Sequence, residues 1–415
     1  MKKLLFLLFP LVLFAKSYLI SDIPLPRAYI QNLDPYPCSE SCLQEYLDNG
    51  MIFSFLAHAE SKLENEDQEQ LRMMHISILN LGPTIKTDTI RIAMLLPYKT
   101  IGKYTASTTN AVFAYLIAKN RSFELKSYKI ENETVEDIQR AISEIQNDGF
   151  SYVIAPLTQM GADAVLSIHP QVNIYFPTIH KNNPESITPY LYYGGIDYMA
   201  QSDLLLKEAV SPLVIFYDSS SIGYQLSSYA EKKFKENPEN NTDEILNYDK
   251  KVIKYSIPTR ITNLEKQLKE NEHINQGSFF INTPIVKTGM IMSQLTLYDA
   301  NATNILSTQI NYDPLLLSMT QYDDRKNMIV ANSITEHNNV LTETNELLNN
   351  DIVYDWINYT TTVGIDYFYN LITKDTQAYT IHMQNNQMIY NIELLRPSLS
   401  RFVKYTPTLY QDTQE

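Results

Sequence analysis

From residue 90 onward the apolar positions follow two alternating patterns: short, nearly unbroken runs, and longer stretches in which they recur every three or four residues. The runs predict buried strands and the stretches predict helices. "IRIAMLL" (90–96) precedes a helical pattern across "TTNAVFAYLIAKN", and "FELKSYKI" (123–130) precedes one across "TVEDIQRAISEIQNDG". Thr134 is a suitable N-cap for the second helix, with Asp137 three residues on, and Gly149 a suitable stop. "FSYVIAPLT" predicts a third strand, "GADAVLSIH" a short helix, "VNIYFPTIH" and "PYLYYGGI" two further strands, and "MAQSDLLLKEAV" a closing helix. The alternation then restarts with the strands "PLVIFYDSS", "KKVIKYSI", "GSFFINTP" and "ATNILSTQI". Between them lie the helices "IGYQLSSYAEKKFKEN", "ITNLEKQLKENE" and "VKTGMIMSQLTLY". Strands separated by helices read as βαβ units in parallel sheets. The pattern therefore predicts two successive α/β lobes, 89–210 and 211–395, with chain crossovers near a hinge. A late helix, "IVYDWINYTTTVGIDYFYNLI", and a closing hairpin, "HMQNNQMIYNIELLR", fall in the second lobe on this reading, and 396–415 is a C-terminal tail. The polar tract 236–250 reads as a surface loop.

Before residue 89 the pattern differs. Leu43, Tyr46, Leu47, Met51, Phe55 and Leu56 fall at helical spacing, as do Leu71, Met74, Ile78 and Leu81. Helices over 39–59 and 66–80, joined by the charged stretch "ESKLENEDQEQ", predict a helical hairpin spanning 39–82. A lone hairpin cannot bury both faces of its apolar stripe, so it must pack on the main domain, a partner or a second copy. Residues 16–38, rich in proline and turn formers, read as an extended arm. Residues 1–15, "MKKLLFLLFPLVLFA", have two lysines, an apolar run and a small residue before Lys16, the layout of a cleaved signal peptide. The run is short for a membrane span, and no later run is long enough, so no span is expected after cleavage. No cysteine stands at the end of the run, so the expected location is the periplasm, without lipid attachment.

Composition sharpens this. The chain of 415 residues is 44% hydrophobic and 19% charged, with net charge −14. Removing the leader takes two lysines and no acids, which leaves 31 basic against 47 acidic side chains and a net charge of −16. That balance argues against nucleic acid or anionic lipid as partner. The two cysteines, Cys38 and Cys42, stand in "PYPCSESCLQEYL". An even count in an exported chain suggests a disulfide, geometrically accessible if Cys38 sits just outside a helix start. Two free thiols or half of a metal site are the competing readings.

Catalytic patterns do not emerge. The histidines at 58, 75, 169, 180, 273, 337 and 382 are scattered, and neither H-x-H nor H-E-x-x-H occurs. There is no G-x-S-x-G, S-x-x-K, P-loop or G-x-G-x-x-G, and eleven glycines leave little room for a phosphate-cradling loop. Adjacent Asp323 and Asp324 read as solvated surface. No metal, cofactor or catalytic residue is expected. In an open parallel sheet ligands sit beyond the carboxyl ends of the strands. The candidate cleft residues there are Tyr98, Lys99, Thr100, Tyr104, Pro156, Thr158 and His180 in the first lobe. Tyr217 and Asp218 are the candidates in the second, with Thr283 and Pro284 also at a strand end. Several carry the amphipathic hydroxyls that pocket walls favour.

The order of "IRIAMLLP", "VEDIQRAISEIQNDGFSYVIAPLT", "PYLYYGGIDYMAQSDLLLKEA" and "PLVIFYDSSSIGYQLSSYAEKKF" resembles the type I periplasmic binding protein fold. Within it the chain is similar to the LppC-type domain of outer-membrane lipoproteins that activate peptidoglycan synthases. That family opens on a strand ending Leu-Leu-Pro, matched by Leu95, Leu96 and Pro97, and its third strand ends Gly-Pro-Leu, matched by Ala155, Pro156 and Leu157. A later strand and helix are matched by "GSFFINTPIVKTGMIMSQL". The resemblance covers roughly 89–395. Where relatives carry a Ser-Gly loop after Leu-Pro, this chain has Tyr98, Lys99 and Thr100. The lipid-bearing cysteine is missing, and the helical-repeat region is reduced to one hairpin. The resemblance implies a non-enzymatic scaffold or regulator of envelope machinery working through a protein partner. The alternative is a solute receptor whose lobes close on a small amino-acid-like or amide ligand.

Overall fold

The computed structural model describes residues 30, 38–59, 61–79, 89–181, 188–236, 250–260 and 263–406. The expected leader, nearly all of the arm and most of the 236–250 loop lie outside these residues.

The N-terminal unit contains three helices where two are expected: α1 (Glu40–Asp48), α2 (Ile52–His58) and α3 (Glu66–Ile78). The first breaks at Gly50, whose φ of +68° ends the helix in the left-handed region. Ser39 caps α1 by accepting from the Cys42 backbone N–H. Cys38 lies just before this cap and is disulfide-bonded to Cys42, with Cα atoms 5.4 Å apart. The unit closes a small core of its own, around Leu43, Phe55, Leu56 and Ala59. Met51, Phe53, Leu71, Met73 and Met74 stay exposed.

The first lobe begins with β1 (Ile90–Pro97), α4 (Tyr98–Ile101), α5 (Tyr104–Ala118), β2 (Phe123–Ile130), α6 (Val135–Asn147) and β3 (Tyr152–Ile154). It continues through α7 (Gln159–Ile168), β4 (Asn173–Phe176) and β5 (Leu191–Tyr193). The second lobe follows with α8 (Tyr198–Leu206), β6 (Leu213–Asp218), α9 (Ser221–Glu236), β7 (Val252–Ile257), α10 (Glu265–Leu268) and β8 (Ser278–Asn282). Then come α11 (Ile285–Leu297), β9 (Asn304–Ser307), α12 (Pro314–Met319), α13 (Tyr322–Arg325) and β10 (Met328–Asn332). The chain ends with α14 (Asn339–Glu346), α15 (Trp356–Thr373), β11 (His382–Gln384), β12 (Gln387–Ile389), β13 (Glu393–Pro397) and β14 (Phe402–Lys404).

The two sheets repeat one topology. The first runs β2-β1-β3-β4-β5-β12-β11 and the second β7-β6-β8-β9-β10-β13-β14. In each, the first five strands are parallel, in register from Ile90↔Phe123 in the first sheet and Leu213↔Val252 in the second. Helices cover both faces, so the central strands are buried on both sides, which explains their continuous apolar runs. Ala93, Leu95, Val153 and Phe176 face α6 and α7, where Ile138, Ala141, Ile142 and Ile145 form the buried stripe. Ile92, Met94, Leu96 and Tyr175 point the other way. Fully burying an aliphatic side chain of this kind stabilises by about 1.5–3 kcal/mol.

Three expectations are corrected. Residues 339–389, expected in the second lobe, pack on the first. α14 and α15 lie against α5, and β11–β12 adds to β5 through Gln387↔Tyr193. The cause is the aromatic and polar stripe of α15: Tyr115 donates to the buried Asp366 at 2.6 Å and Tyr175 donates to the Thr360 carbonyl at 2.9 Å. Residues 396–404 are not a tail, because β13 pairs antiparallel with β10 and β14 with β13. Of the helix expected over 261–272, the described residues 263–272 contain only the single turn of α10, while β10, absent from the predicted strands, is a fully buried strand.

The chain passes between lobes three times, at 194–197, 333–338 and 390–392. Each passage leaves from the carboxyl end of a strand (β5, β10, β12), so the carboxyl edges of the two sheets face one another at the hinge. Tyr354, ahead of α15, packs at a tilt against Tyr312 of the second lobe with ring centroids 5.1 Å apart, and Tyr312 meets Phe402 at 4.9 Å. A single apolar cluster runs from Leu96 and Tyr115 through Tyr359 to Phe216, Phe279 and Met292. Among the described residues no helix is long and apolar enough to cross a membrane.

Candidate functional site

Both sheets have the order in which the chain reverses beside the first strand of the lobe, between β1 and β3 and between β6 and β8. Such switch points leave a crevice beyond the strand ends. Eight of the nine candidate residues lie at these ends or in the turns that follow them. His180 lies apart, beyond β4 at the first passage between lobes.

In the first lobe Pro97 ends β1 and the chain turns at once into α4, stopped by Gly102 at φ +53°. Tyr98, Lys99 and Thr100 are exposed. The Lys99 ammonium bonds the Glu131 carboxylate, to which Tyr98 also donates at 3.2 Å. This hydrogen bond holds the Lys99 pKa above its ordinary value and that of Glu131 below it. Tyr104 opens α5, its ring beneath the Lys103 ammonium at 5.2 Å. Pro156 is buried, and Thr158 is the N-cap of α7. Thr158 donates its backbone N–H to Glu133 at 2.8 Å and its hydroxyl to the same carboxylate. One loop, "ENET" at 131–134, thus engages both the β1 end through Glu131 and the β3 end through Glu133. Neither acid was among the sequence candidates. The available signal was an acidic loop directly after the strand "FELKSYKI".

His180 lies 3.6 Å from Asp197, and burial lowers its pKa against the pull of that carboxylate. Asp197 is occupied in capping α8, accepting from Met199 and Ala200 N–H at 3.0 and 2.9 Å. Gly195 is required here, because a Cβ would stand 2.3 Å from the His180 nitrogen.

In the second lobe the Asp218 carboxylate is turned back into its own loop, accepting from the Ser220 N–H at 3.2 Å and the Ser220 hydroxyl at 2.5 Å. Tyr217 packs edge-on to Tyr224. The ends of β8, β9 and β10 are sealed by buried amides and hydroxyls. Asn311 donates to Ser307 at 2.7 Å, Thr308 to Asn282 at 2.5 Å, and Gln309 to Asn332 at 3.0 Å. Thr283 pairs with Thr288 in the same layer at 2.8 Å. The sequence signal for this layer was the set of polar clusters "NTP", "STQIN" and "NSIT" following apolar runs.

The candidates therefore form two separate groups, one on each lobe. Among the described residues no hydrogen bond or ion pair joins Tyr98, Lys99 or Thr158 to Tyr217 or Asp218. Among the described residues, cavities lie elsewhere, including a groove of about 470 Å³ beside α11 with Met290, Leu297 and Met319, one at the hinge with Glu336 and Glu393, and one at the β2 edge with Lys126 and Asp148. No group of three or more potential metal ligands occurs among the described residues. Instead, large apolar side chains stand in the first turns beyond the strand ends. Met160 is 65% exposed and Ile222 64%, with Tyr98, Met199, Tyr224, Val286 and Leu315 also exposed.

No protein-family model matches the chain, and no curated protein matches it in sequence. Its likeness to solved structures is extensive. LivJ of Streptococcus pneumoniae, a branched-chain amino acid transporter substrate-binding protein in complex with isoleucine, matches with a TM-score of 0.54 at 10% identity, over 77% of this chain and all of that one. A substrate-binding periplasmic protein from Ralstonia solanacearum matches at 0.54 and 12% identity, over 76% of this chain and all of that one. Full-length LpoA from Haemophilus influenzae matches at 0.51 and 12% identity, over 89% of this chain and 72% of that one. With two lobes of one sheet topology joined by three passages, the chain has the fold of the type I periplasmic binding proteins.

Proposed function

We propose that this protein is a non-enzymatic binding module of the periplasm that works as a scaffold or regulator of envelope machinery through a protein partner, as peptidoglycan synthase activators do. The observation that carries this reading is the exposed apolar rim at the facing strand ends, with Met160 on one lobe and Ile222 and Tyr224 on the other. Exposed apolar side chains at both sets of strand ends suit contact with another macromolecule. The continuous apolar core between the lobes supports it, since a large hydrophobic interface restrains the relative motion on which a closing receptor depends.

A second reading, a receptor for a small amino-acid-like or amide solute, is favoured by the strand-end placement of Tyr98, Thr158 and Tyr217 at two switch points. Photo-crosslinking separates the two. With a photoreactive residue at position 160 or 222 of the full chain in the periplasm, the partner reading expects a discrete protein adduct. It also expects no rise in melting temperature with isoleucine as probe. No adduct together with isoleucine-dependent stabilisation would establish the receptor instead.

A further inference from the structure

Helix α11 packs into the core of the second lobe through Ile291, Met292 and Leu295, and its outer face is bare. Val286 is 51% exposed, Met290 40% and Leu297 67%, and the exposed Ser293 completes one stripe with them. Met290, Ser293 and Leu297 line the groove of about 470 Å³, with Met319 of α12 along one side beside Gly289. The polar side chains here are already satisfied within the chain. Ser293 donates to the Gly289 carbonyl at 3.0 Å, Gln294 accepts from the Leu264 N–H at 2.7 Å, Tyr298 donates to Asn263 at 2.8 Å, and Thr296 donates to Asp324 at 2.5 Å. Water can therefore leave the groove without stranding a buried donor or acceptor. Lys287 is the exception. It forms no ion pair or side-chain hydrogen bond among the described residues, and a cation in the first turn of a helix is opposed by the helix dipole.

A bare helix face accepts many partners, but this one is matched to itself. Its exposed positions are four, three and four residues apart, so the stripe reads the same from either end. About a two-fold axis perpendicular to the helix, an antiparallel copy sets Val286 against Leu297 and the long Met290 against the short Ser293. The charges match in the same arrangement. Lys287 lies on the flank of α11 that carries Gln294 and Tyr298, and those two hold the segment 263–265 at the far end of that flank. Glu265 in that segment is half-exposed and accepts from Lys269 at 3.0 Å, with capacity for a second donor. The axis keeps this flank on one side and exchanges the helix ends, so each copy's Lys287 comes to the other's Glu265.

We propose that the outer face of α11 is a homodimer interface, in which two copies pair antiparallel across a two-fold axis, bury the groove beside Ser293 and join Lys287 to Glu265 at each end. This interface uses residues other than Met160, Ile222 and Tyr224 and stands whichever partner those meet.

Sedimentation velocity of the full chain over a range of concentrations tests this. A monomer–dimer equilibrium is expected, and a chain still monomeric at about 100 μM overturns the proposal. Leu297→Glu sets two carboxylates in the groove by symmetry and should raise the dissociation constant at least ~100-fold, about tenfold for each. Its melting temperature should match wild type at concentrations where both are monomeric, because Leu297 is exposed in the single chain. Lys287→Glu should weaken the dimer about 10-fold, and adding Glu265→Lys to it should restore most of that loss. A dimer indifferent to Leu297→Glu, or a charge swap without restoration, refutes the pairing. Should Leu297→Glu fail to fold, the charge swap decides. A diazirine side chain at position 290 should crosslink two copies of the chain. An adduct to a different protein with none to a second copy gives the face to that protein and overturns the proposal.

Discussion

The return of α15 to the first lobe is anchored in part by one buried acid, so Asp366→Ala should weaken that lobe in a measurable way. Asp366 is 1% exposed and accepts from Tyr115 Oη at 2.6 Å, from the Ala378 N–H at 2.9 Å and from the Tyr379 N–H at 3.1 Å. Lys119 stands 3.9 Å away and adds a weak charge contact. Alanine strands three donors, and each buried donor left unpaired costs about 1–3 kcal/mol. Tyr115 is fully buried and cannot swing to water, whereas the two amides can relax with their loop, so a total of about 3–5 kcal/mol is expected, the range for breaking a buried charged network. Tyr115→Phe removes a single charge-assisted bond and should cost about 1.5–3 kcal/mol. A two-lobed chain has no guaranteed single unfolding free energy, so the assay is native-state hydrogen exchange resolved by peptide. Protection should fall in β1, α5 and β3 by the stated amounts, with Asp366→Ala worse than Tyr115→Phe. A loss below about 1 kcal/mol in β1 and α5, or one confined to β8 and β9, would refute the assignment of α15 to the first lobe.

Two further outcomes concern close packing and a partly buried ion pair. Gly364→Ala would place a Cβ 2.1 Å from the ring of the fully buried Tyr175, so it should destabilise by about 1–3 kcal/mol in thermal melts, whereas at Gly289 the one tight contact is the flexible end of Met319 at 3.2 Å and Gly289→Ala should be near neutral. In the N-terminal unit, hydrogen bonds from Arg72 and the Leu63 N–H hold the Glu69 pKa well below the usual carboxylate range, at about 2. A pKa depressed by folding contributes stability that is present above the ordinary carboxylate value and lost as pH falls toward 2. Exchange protection of α3 should therefore decline over that window, and Glu69→Gln should remove this part of the acid dependence while lowering protection at neutral pH.

Much of the fold is legible because it is local. The two-sided burial of "IRIAMLL" and "PLVIFYD" shows as unbroken apolar runs, and the amphipathic stripe and Thr134 cap of α6 show as spacing. Even the Cys38 and Cys42 bond is local, set by a helix start between the two residues. The strand ends where a parallel sheet places ligands could be marked for the same reason. Their neighbours could not. Glu131 and Glu133 look like surface acids in a polar loop, and nothing in their spacing says that β2 lies beside β1, which alone brings them to Lys99 and Thr158.

The repeated α/β alternation and the ends of the strands marked by apolar runs are local features of the sequence, whereas β10 and β14 are absent from the predicted strands. Tertiary structure decided which lobe owns each late segment. Short pieces such as "QMI" and "FVK" lack the apolar surface to choose a partner on their own. Their sheet is set by closure: Gln387 docks on the Lys181 N–H and the Gly195 carbonyl at the first lobe, while β13 aligns with Asn332 and Val330 at the second. Backbone edges left open by other strands and buried donors needing acceptors exist only once the lobes have formed, and those requirements, more than the pattern of the late segments, fix where the chain ends up.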